Sequence, residues 1–451
     1  MTSTRLSLPG LVSLLVLASC TDAPLGVTDA AVPGAAARQM AKDGGLPFSE
    51  AMAELGDLIF DDQNLSRNGN QACNTCHLAA WGFTGPNPAV NAAGAVYEGS
   101  VIGAFGDRKP PSSAYATPSP IFHYSRQARG LFVGGNFWDG RATGEILGNA
   151  AADQAMGPFL NPMEQALRDE ACVVYRVANS SYSDLYREMW GTQIDAIDYN
   201  VPDIDQQCSQ GGDRFVIDPV NRELITREYG NIAIAIAVYE ESHNQFSSKF
   251  DAARRGMYNL TREERQGLAL FNGKAKCSRC HTSGGRQPLF TDFAYDNLGV
   301  PANPDNPVYD RDLSFVDEGL GGFLMSRPEW AGLASGERGK VKVPTLRNVD
   351  LRPSPLDIKA YMHNGVFKSL EEVVHFYNTR DVLPECGLSA VRSDWGETCW
   401  PAPEVAENVN VGELGDLGLS AEEEASIVAF LKTLSDGFIP GGHGRHNRGG
   451  R

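Results

Sequence analysis

Long apolar runs and basic residues are both scarce in this sequence of 451 residues. Beyond residues 1–20, no segment approaches the roughly 20 apolar residues that a membrane-spanning helix needs. The chain has 39 Lys and Arg against 56 Asp and Glu, which gives a formal net charge of −17. A phosphate backbone would repel such a chain, so the composition excludes a nucleic-acid-binding protein.

The one apolar run lies at the amino terminus and predicts export. Arg5 supplies a positive charge, residues 11–17 form a short apolar stretch, and Leu17-Ala18-Ser19-Cys20 resembles a bacterial lipobox. We therefore expect a lipoprotein signal peptide over residues 1–19, with lipidation of Cys20. A transmembrane helix is the alternative, although the run is short for one. We expect the protein in the periplasm, attached to the outer membrane only through this lipid anchor.

The chain has nine cysteines, and their use follows from export. Cys20 is assigned to lipid and four more belong to two CxxCH motifs, which leaves Cys172, Cys208, Cys386 and Cys399. An even remainder in an oxidising compartment predicts two disulfides. Four cysteines allow three pairings, of which we favour the local one, 172 with 208 and 386 with 399; buried free thiols are the alternative.

The two CxxCH motifs predict covalent haem. They are Cys73-Asn74-Thr75-Cys76-His77 and Cys277-Ser278-Arg279-Cys280-His281. Two thiols on one turn can reach the two vinyl groups of a haem, and the following imidazole then lies beneath the iron as an axial ligand. A zinc site or a redox CxxC pair would not require a histidine after both motifs, so we expect two haems of the c type.

The motifs lie in an internal repeat, which predicts two domains. A short amphipathic helix ending near Phe60 precedes the first motif, and a similar helix ending near Phe271, capped by Thr261 and Glu264, precedes the second. Each half also closes with a helix. Residues 232–246 are apolar on one face, and a capping box of Ser420 and Glu423 begins an apolar-periodic helix that runs through Leu434. We expect an all-α fold with long loops and two tandem cytochrome c-like haem domains. We expect the two domains over residues 46–252 and 253–437. A flexible tether over residues 20–45 would precede them, and a disordered tail over residues 438–451 would follow.

Four further stretches resemble the bacterial di-haem cytochrome c peroxidase family, which includes the MauG-like enzymes. They occur in the family's order along nearly the whole mature chain. The stretches are Phe137-Trp138-Asp139-Gly140-Arg141-Ala142, Gly157-Pro158 with Asn161-Pro162-Met163-Glu164, Val343-Pro344-Thr345-Leu346-Arg347-Asn348, and Tyr361-Met362-His363-Asn364-Gly365 leading into Ser369-Leu370-Glu371-Glu372-Val373-Val374-His375-Phe376-Tyr377-Asn378.

The resemblance implies distinct roles for the two haems. The haem on His77 would react with peroxide, and the haem on His281 would receive and store electrons. Glu164 matches the family's distal carboxylate, which can move a proton between the peroxide oxygens. Trp138 matches the tryptophan between the haems, and Arg141 would pair with a haem propionate or a buried carboxylate. Without the flanking motifs, Glu164 would read as a surface or capping residue and Trp138 as a core residue.

One departure from the family concerns the first iron. In much of the family a histidine shortly after the first motif blocks the resting peroxidatic iron, yet no histidine lies between His77 and His123 here. His123 is the alternative for this blocking role, but its position between Phe122 and Tyr124 is more typical of a packed or interfacial residue. We therefore expect an open, five-coordinate first haem.

A second departure concerns the far ligand of the other haem. The family commonly supplies a methionine at the position of Tyr377, and MauG-type enzymes supply a tyrosine. A phenolate ligand stabilises high-valent iron and lowers the reduction potential, whereas a methionine ligand raises the reduction potential. Tyr377 is the expected ligand and Met362 the alternative; for His363 and His375 we expect hydrogen bonding or packing.

Calcium is doubtful as a further cofactor. Family members bind it between the haems with an asparagine side chain and backbone carbonyls. Lys109, in the segment over residues 107–112, stands where that asparagine is expected. Calcium requires oxygen ligands, and a lysine side chain supplies none.

The sequence thus predicts a peroxide-dependent oxidoreductase. Its expected reaction is the reduction of hydrogen peroxide with electrons from a small cytochrome c or cupredoxin. A MauG-like oxidation of Trp or Tyr side chains on a partner protein is the first alternative. A non-enzymatic electron-transfer cytochrome, with both irons six-coordinate, is the alternative of another class, and a haem-based sensor would require an output domain that the sequence lacks.

Overall fold

The structure, a computed structural model, describes residues 46–47, 49–127 and 130–440. The predicted signal peptide, the lipidation site Cys20, the tether and the tail from residue 441 lie outside the described residues. Helices account for 38% of the chain, and two small antiparallel sheets accompany them. The expectation of an all-α fold therefore holds for the dominant element type only.

The elements are numbered here in chain order. The α-helices are α1 Glu50–Phe60, α2 Pro88–Ala92, α3 Ala150–Ala155, α4 Gly157–Leu160, α5 Glu170–Ala178, α6 Ser183–Trp190, α7 Ile204–Cys208, α8 Pro219–Ser242, α9 Lys249–Arg254, α10 Arg262–Asn272, α11 Val308–Arg311, α12 Gly319–Met325, α13 Leu370–Thr379 and α14 Ala421–Leu431. The strands are β1 His123–Ser125, paired with β2 Leu131–Val133, and β3 Tyr295–Asp296, paired with β4 Val341–Lys342. Short 3₁₀ turns include Cys73–Thr75 and Cys277–Arg279 at the two CxxCH motifs.

Each half brings the helix before its CxxCH motif against its closing helix, and a glycine lies at each crossing. Helix α1 packs on α8, and α10 packs on α14. A Cβ atom at Gly56 would lie 2.1 Å from the carbonyl oxygen of Ala235, and one at Gly267 would lie 1.8 Å from that of Ser426. Only glycine permits such close backbone approach, so the internal repeat extends to the geometry of helix crossing.

The apolar core falls into two large clusters. One contains residues of α1, α5 and α8 and spans positions 52–238; the other contains residues of α10, α13 and α14 and spans positions 250–434. Phe271, Phe290 and Phe430 form mutual edge contacts at 5.2–6.1 Å in the second cluster. The proposed domain boundary between residues 252 and 253 stays a prediction.

Helix α8 differs from its predicted form. It begins at Pro219, behind an Asp218 cap whose carboxylate accepts from two backbone N–H groups, and it ends at Ser242 rather than at Phe246. Residues 230–238 are buried without a break, so this part of the helix is enclosed on all sides, and the prediction of a single apolar face was wrong there. Among the described residues, no helix combines the length and apolarity needed to cross a membrane.

The predicted local disulfides are both present. Cys172 of α5 is bonded to Cys208 of α7, and Cys386 is bonded to Cys399. Their Cα atoms are 5.5 and 4.9 Å apart, within the range that a disulfide spans. The predicted capping boxes at Thr261–Glu264 and at Ser420–Glu423 are also confirmed.

We predict that Gly267→Ala destabilises the protein by about 1–3 kcal/mol, because the added Cβ overpacks the crossing of α10 with α14. Thermal unfolding followed by far-UV circular dichroism measures the effect. Gly332→Ala is the matched control, because no atom lies within 4 Å of its Cβ position, and we expect a change within about 0.5 kcal/mol there. Equal melting temperatures for the two variants would contradict the close-approach argument.

Candidate active site

The two CxxCH motifs form similar 3₁₀ turns. In each, the histidine N–H donates to the carbonyl of the first cysteine, at 3.0 Å for His77 and 2.9 Å for His281. The four motif cysteines are unpaired and partly buried, whereas Cys172, Cys208, Cys386 and Cys399 form disulfides. Each turn therefore presents two free thiols and one imidazole, the donor set that covalent haem attachment requires.

Both imidazoles are held in one orientation by a backbone carbonyl. Nδ1 of His77 donates to the Phe83 carbonyl at 3.0 Å, and Nδ1 of His281 donates to the Phe290 carbonyl at 2.8 Å. This bond leaves Nε2 as the lone-pair nitrogen that can bind iron. Burial lowers the pKa of His77 to about 4 and also lowers that of His281, so both rings are neutral, the form that binds a metal.

Each carbonyl belongs to a two-segment unit that we call a clamp. The first clamp is Phe83-Thr84 with residues 109–112, and the second is Phe290-Thr291 with residues 342–345. In both, the threonine donates to the second segment, and a hydroxyl of that segment donates back to the residue before the phenylalanine. The bonds are Thr84 to Pro110 (2.5 Å), Ser112 to Gly82 (2.7 Å), Thr291 to Val343 (2.7 Å) and Thr345 to Leu289 (2.6 Å).

The clamps are functional elements that the sequence analysis missed. A Phe-Thr pair follows each CxxCH motif, and a Lys-x-Pro-(Ser/Thr) segment, with Pro111 or Pro344, occurs later in each half. These short patterns were a signal that could have been found, because they are part of the same internal repeat as Gly56 and Gly267. The carbonyls of Pro111 and Pro344 also interact with the imidazoles.

Trp138 joins the two clamps through hydrogen bonds. Its indole Nε1 donates to the Lys109 carbonyl of the first clamp at 2.8 Å. Its own carbonyl accepts from the Lys342 N–H of the second clamp at 2.8 Å. The side chain is 8% exposed. Trp138 thus connects the segments that contact His77 and His281.

Lys109 has a buried ammonium group at the position where the family resemblance implied a calcium ligand. Its Nζ donates to the Thr84 hydroxyl at 2.9 Å and to the Pro110 carbonyl at 3.0 Å. Burial lowers its pKa to about 8. The local oxygens are thus bonded to a side-chain cation, so the residues present do not fit a calcium ion at this point.

Glu164 lies near the first attachment turn. Burial is the main cause that raises the pKa of the Cys76 thiol to about 12, and the negative charge of the nearby Glu164 carboxylate adds to the shift. Oε1 of Glu164 accepts from the Asn161 amide at 2.8 Å, and Asn161 is itself bonded to the Met163 N–H at 3.0 Å. Burial raises the pKa of Glu164 against the opposing charge of Arg141.

Arg141 pairs with a buried carboxylate, Asp139, at 2.7 Å. Asp139 also accepts from Arg108 at 2.7 Å, and Arg108 makes two bonds to Asp317 at 2.6 and 2.7 Å. Burial opposes ionisation of Asp139, but the two guanidinium groups outweigh it and hold its pKa below the usual range. This ion-pair chain fixes the turn that carries Trp138.

His363, His375 and His123 differ in their burial and in their contacts. His363 is buried, its Nε2 lies 3.7 Å from Asp317, and its ring contacts Trp138 at 6.4 Å. His375 bonds to Glu424 at 3.1 Å and to the Gly396 carbonyl at 2.8 Å. His123 is exposed on β1, so it is not a packed residue, while the other part of the expectation, an interfacial residue, stays a prediction.

Tyr377 lies on α13 near the second attachment turn. Burial raises the pKa of its phenol, and the thiols of Cys277 and Cys280 add to the shift, which places the phenol close to both cysteines. Met362 is partly buried in the second core cluster, with a φ of 67°. The structure thus brings Tyr377 to the second haem-attachment turn as the sequence analysis expected, while its role as a ligand stays a prediction.

Comparisons with known proteins agree with this site. The family described as "Di-haem cytochrome c peroxidase" matches residues 50–259. The methylamine utilization protein MauG of Paracoccus denitrificans is 33% identical over 430 residues, which cover 92% of this chain and 94% of that protein. The cytochrome c551 peroxidase of Nitrosomonas europaea is 26% identical over 73% of each chain.

A solved structure shares the fold. The di-haem peroxidase BthA of Burkholderia thailandensis superposes with a TM-score of 0.67 at 26% identity, over 88% of this chain and 89% of that one. Two c-type haems are therefore the cofactors, and the protein is a peroxide-dependent oxidoreductase. The alternative of a non-enzymatic electron-transfer cytochrome is thereby set aside. The two attachment turns agree with the family match and with the 33% identity to MauG over 92% of this chain. The chain therefore belongs to the di-haem cytochrome c peroxidase family.

Proposed function

We propose that the chain is a periplasmic peroxidase, anchored through Cys20, that reduces hydrogen peroxide at the His77 haem with electrons from a small cytochrome c or cupredoxin. Its two haems lie in tandem cytochrome c-like domains over residues 46–252 and 253–437. The observation that carries the proposal is Glu164, a carboxyl group of raised pKa beside the first attachment turn. A proton-transfer group at this place suits cleavage of the peroxide bond.

The residues divide the chemistry among them. Cys73, Cys76 and His77 would hold the first haem, and its iron would supply the electrons that reduce the peroxide bond. Asn161 holds Oε1 of Glu164 by a hydrogen bond, so Oε2 is available to accept the proton of one peroxide oxygen and deliver it to the leaving oxygen. The carbonyl of Phe83 holds the His77 imidazole in the ligating tautomer.

Trp138 carries electrons between the two haem sites. Its hydrogen bonds to the Lys109 carbonyl and from the Lys342 N–H connect the two clamps. Arg141, Asp139 and Arg108 fix the turn that carries it. We assign Tyr377 as the residue that, with His281, would bind the iron of the second haem, because its phenol lies near Cys277 and Cys280.

A second candidate function is the peroxide-dependent oxidation of Trp or Tyr side chains on a partner protein. Two observations favour it, namely the 33% identity to MauG over nearly the whole chain and a tyrosine instead of a methionine at position 377. A phenolate ligand lowers the reduction potential and stabilises high-valent iron. A pull-down from the periplasm after peroxide treatment, followed by mapping of oxidised side chains, separates this function from simple peroxide reduction.

We predict that Glu164→Gln lowers kcat/KM for peroxide about 10²–10⁴-fold, because the amide cannot carry the proton. Stopped-flow absorbance of the haem-loaded protein measures the rate. Because the active form of Glu164 is the ionised base, wild-type activity should also fall as the pH falls through its raised pKa. Glu240→Gln is the matched control, since Glu240 is another buried carboxyl near Cys73 with a raised pKa of about 8. Equal rates for both variants would remove Glu164 from the mechanism.

We predict that Tyr377→Phe abolishes the low-spin ferric signal of the His281 haem in electron paramagnetic resonance, because phenylalanine has no donor atom. Tyr361→Phe is the control, because its buried hydroxyl has no hydrogen-bond partner and lies in the same core cluster. We expect Tyr361→Phe to keep the wild-type signal. An unchanged low-spin signal in Tyr377→Phe would make Met362 the leading ligand instead.

We predict that EGTA leaves peroxide turnover unchanged, because the Lys109 ammonium is bonded to the local oxygens. The haem-loaded protein is dialysed against the chelator and assayed with and without added Ca²⁺. Lys109→Asn removes the ammonium and supplies a side-chain oxygen, so its melting temperature should rise on addition of Ca²⁺ while that of the wild type does not. A loss of wild-type activity that Ca²⁺ restores would contradict this assignment.

A further inference from the structure

A cluster of aromatic rings leads from the Trp138 turn to the protein surface. Phe122 and Phe132 are buried and stack on each other at 5.3 Å. Trp330 contacts both of them edge-on, at 5.1 and 5.6 Å. Tyr295 contacts Phe122 from the inner side at 5.9 Å. We call these four residues the Trp330 cluster.

The inner end of the cluster lies directly against the turn that carries Trp138. Tyr295 pairs with Lys342 between β3 and β4, and the Lys342 N–H donates to the Trp138 carbonyl at 2.8 Å. A Cβ atom at Gly140 would lie 2.3 Å from the Tyr295 hydroxyl oxygen and 3.0 Å from Cε2 of Phe122. Contact is therefore continuous from the Trp138 turn to Phe122.

The outer end of the cluster reaches solvent. Trp330 is partly exposed, and Tyr124, which contacts Phe132 at 5.0 Å, is 38% exposed. Several exposed apolar side chains occur on the segments that form this end, namely Ile121, Ile146, Met325 and Leu333. The Arg327 guanidinium lies 4.7 Å from the Trp330 ring centre and pairs with Glu145 at 3.1 Å and with Glu329 at 2.6 Å.

We propose that Trp330 is a surface oxidation site, at which phenols, including tyrosine side chains too large to reach the haems, are oxidised by one electron. The inference rests on the proposed peroxide chemistry, in which one H₂O₂ takes up two electrons and two protons and forms two waters. One electron leaves the Trp330 indole through Phe122 and Tyr295 toward Trp138, and the indole Nε1 proton passes to water. The neutral indolyl radical then takes one hydrogen atom, that is, one electron and one proton, from a phenol, so two phenols are oxidised per peroxide.

The first experiment adds peroxide to the haem-loaded full chain without any donor and maps oxygen addition to tryptophan by peptide mass spectrometry. Trp395 is an internal control, because it is partly exposed and has Arg392 at 4.2 Å from its ring, yet it contacts no second aromatic ring within the described part of the chain. We expect oxidation at Trp330 to exceed that at Trp395 several-fold.

The second experiment supplies N-acetyl-tyrosinamide as the phenol and follows dityrosine fluorescence. Trp330→Phe and Phe122→Leu should each lose most phenol oxidation while the haem spectral response to peroxide stays that of the wild type. The haem absorption spectrum and the melting temperature identify a folding defect in the buried Phe122→Leu variant, and the surface variant Trp330→Phe then decides the question. Trp395→Phe should retain the wild-type rate.

The outcomes separate the two proposals. If wild-type protein consumes peroxide but oxidises Trp330 and Trp395 equally, or if Trp330→Phe oxidises the phenol at the wild-type rate, the surface site is overturned and the peroxidase proposal stands. If the haem-loaded protein does not consume peroxide, the proposed function fails, and the surface site fails with it.

Discussion

The hydrogen bond from each axial imidazole to a phenylalanine carbonyl is the constraint on which the site depends. Iron ligation requires a neutral imidazole with one particular nitrogen free, and an unconstrained histidine can rotate or change tautomer. Phe83 and Phe290 supply the fixed acceptors at 3.0 and 2.8 Å, and both have a positive φ, 57° and 55°. A backbone conformation of this kind costs free energy of order 1–3 kcal/mol in a residue other than glycine. The clamps stabilise it through two hydroxyl–carbonyl bonds each.

Once the imidazoles are fixed, the clamps also fix the tryptophan between them. Trp138 donates to one clamp and accepts from the other, so a shift of either clamp would move it. The neighbouring ion pairs of Arg108 with Asp139 and Asp317 are largely buried, and Arg141, which also pairs with Asp139, is 38% exposed. Such pairs add little net stability, but removal of one partner strands a buried charge. Their effect is therefore to keep the Trp138 turn in one conformation.

Much of this molecule could be predicted from its sequence, because its main features are local or repeated. The haem motifs and the capping boxes at Thr261 and Ser420 depend on residues close in the chain. The disulfides could be predicted although Cys172 and Cys208 are 36 positions apart, because only four cysteines remained to be paired. The end of α8 could not be predicted from its apolar residues, because the chain turns beyond Ser242 although Phe246 is apolar. The clamps were missed because each joins segments about 25 to 55 positions apart, and a Phe-Thr pair alone is too short a pattern to be noticed.

The two halves resemble each other on the histidine side and differ on the other. Helix crossing, attachment turn and clamp repeat almost bond for bond, with Gly56 matching Gly267 and Lys109 matching Lys342. What differs is the side chain brought to each attachment turn, which is a carboxylate, Glu164, in the first half and a phenol, Tyr377, in the second. In the proposed function, the carboxylate lies near an open iron and moves protons, whereas the phenol binds the other iron and closes it. The repeat therefore supplies two similar haem-attachment sites, and the proposed function assigns their different chemistry to one residue in each.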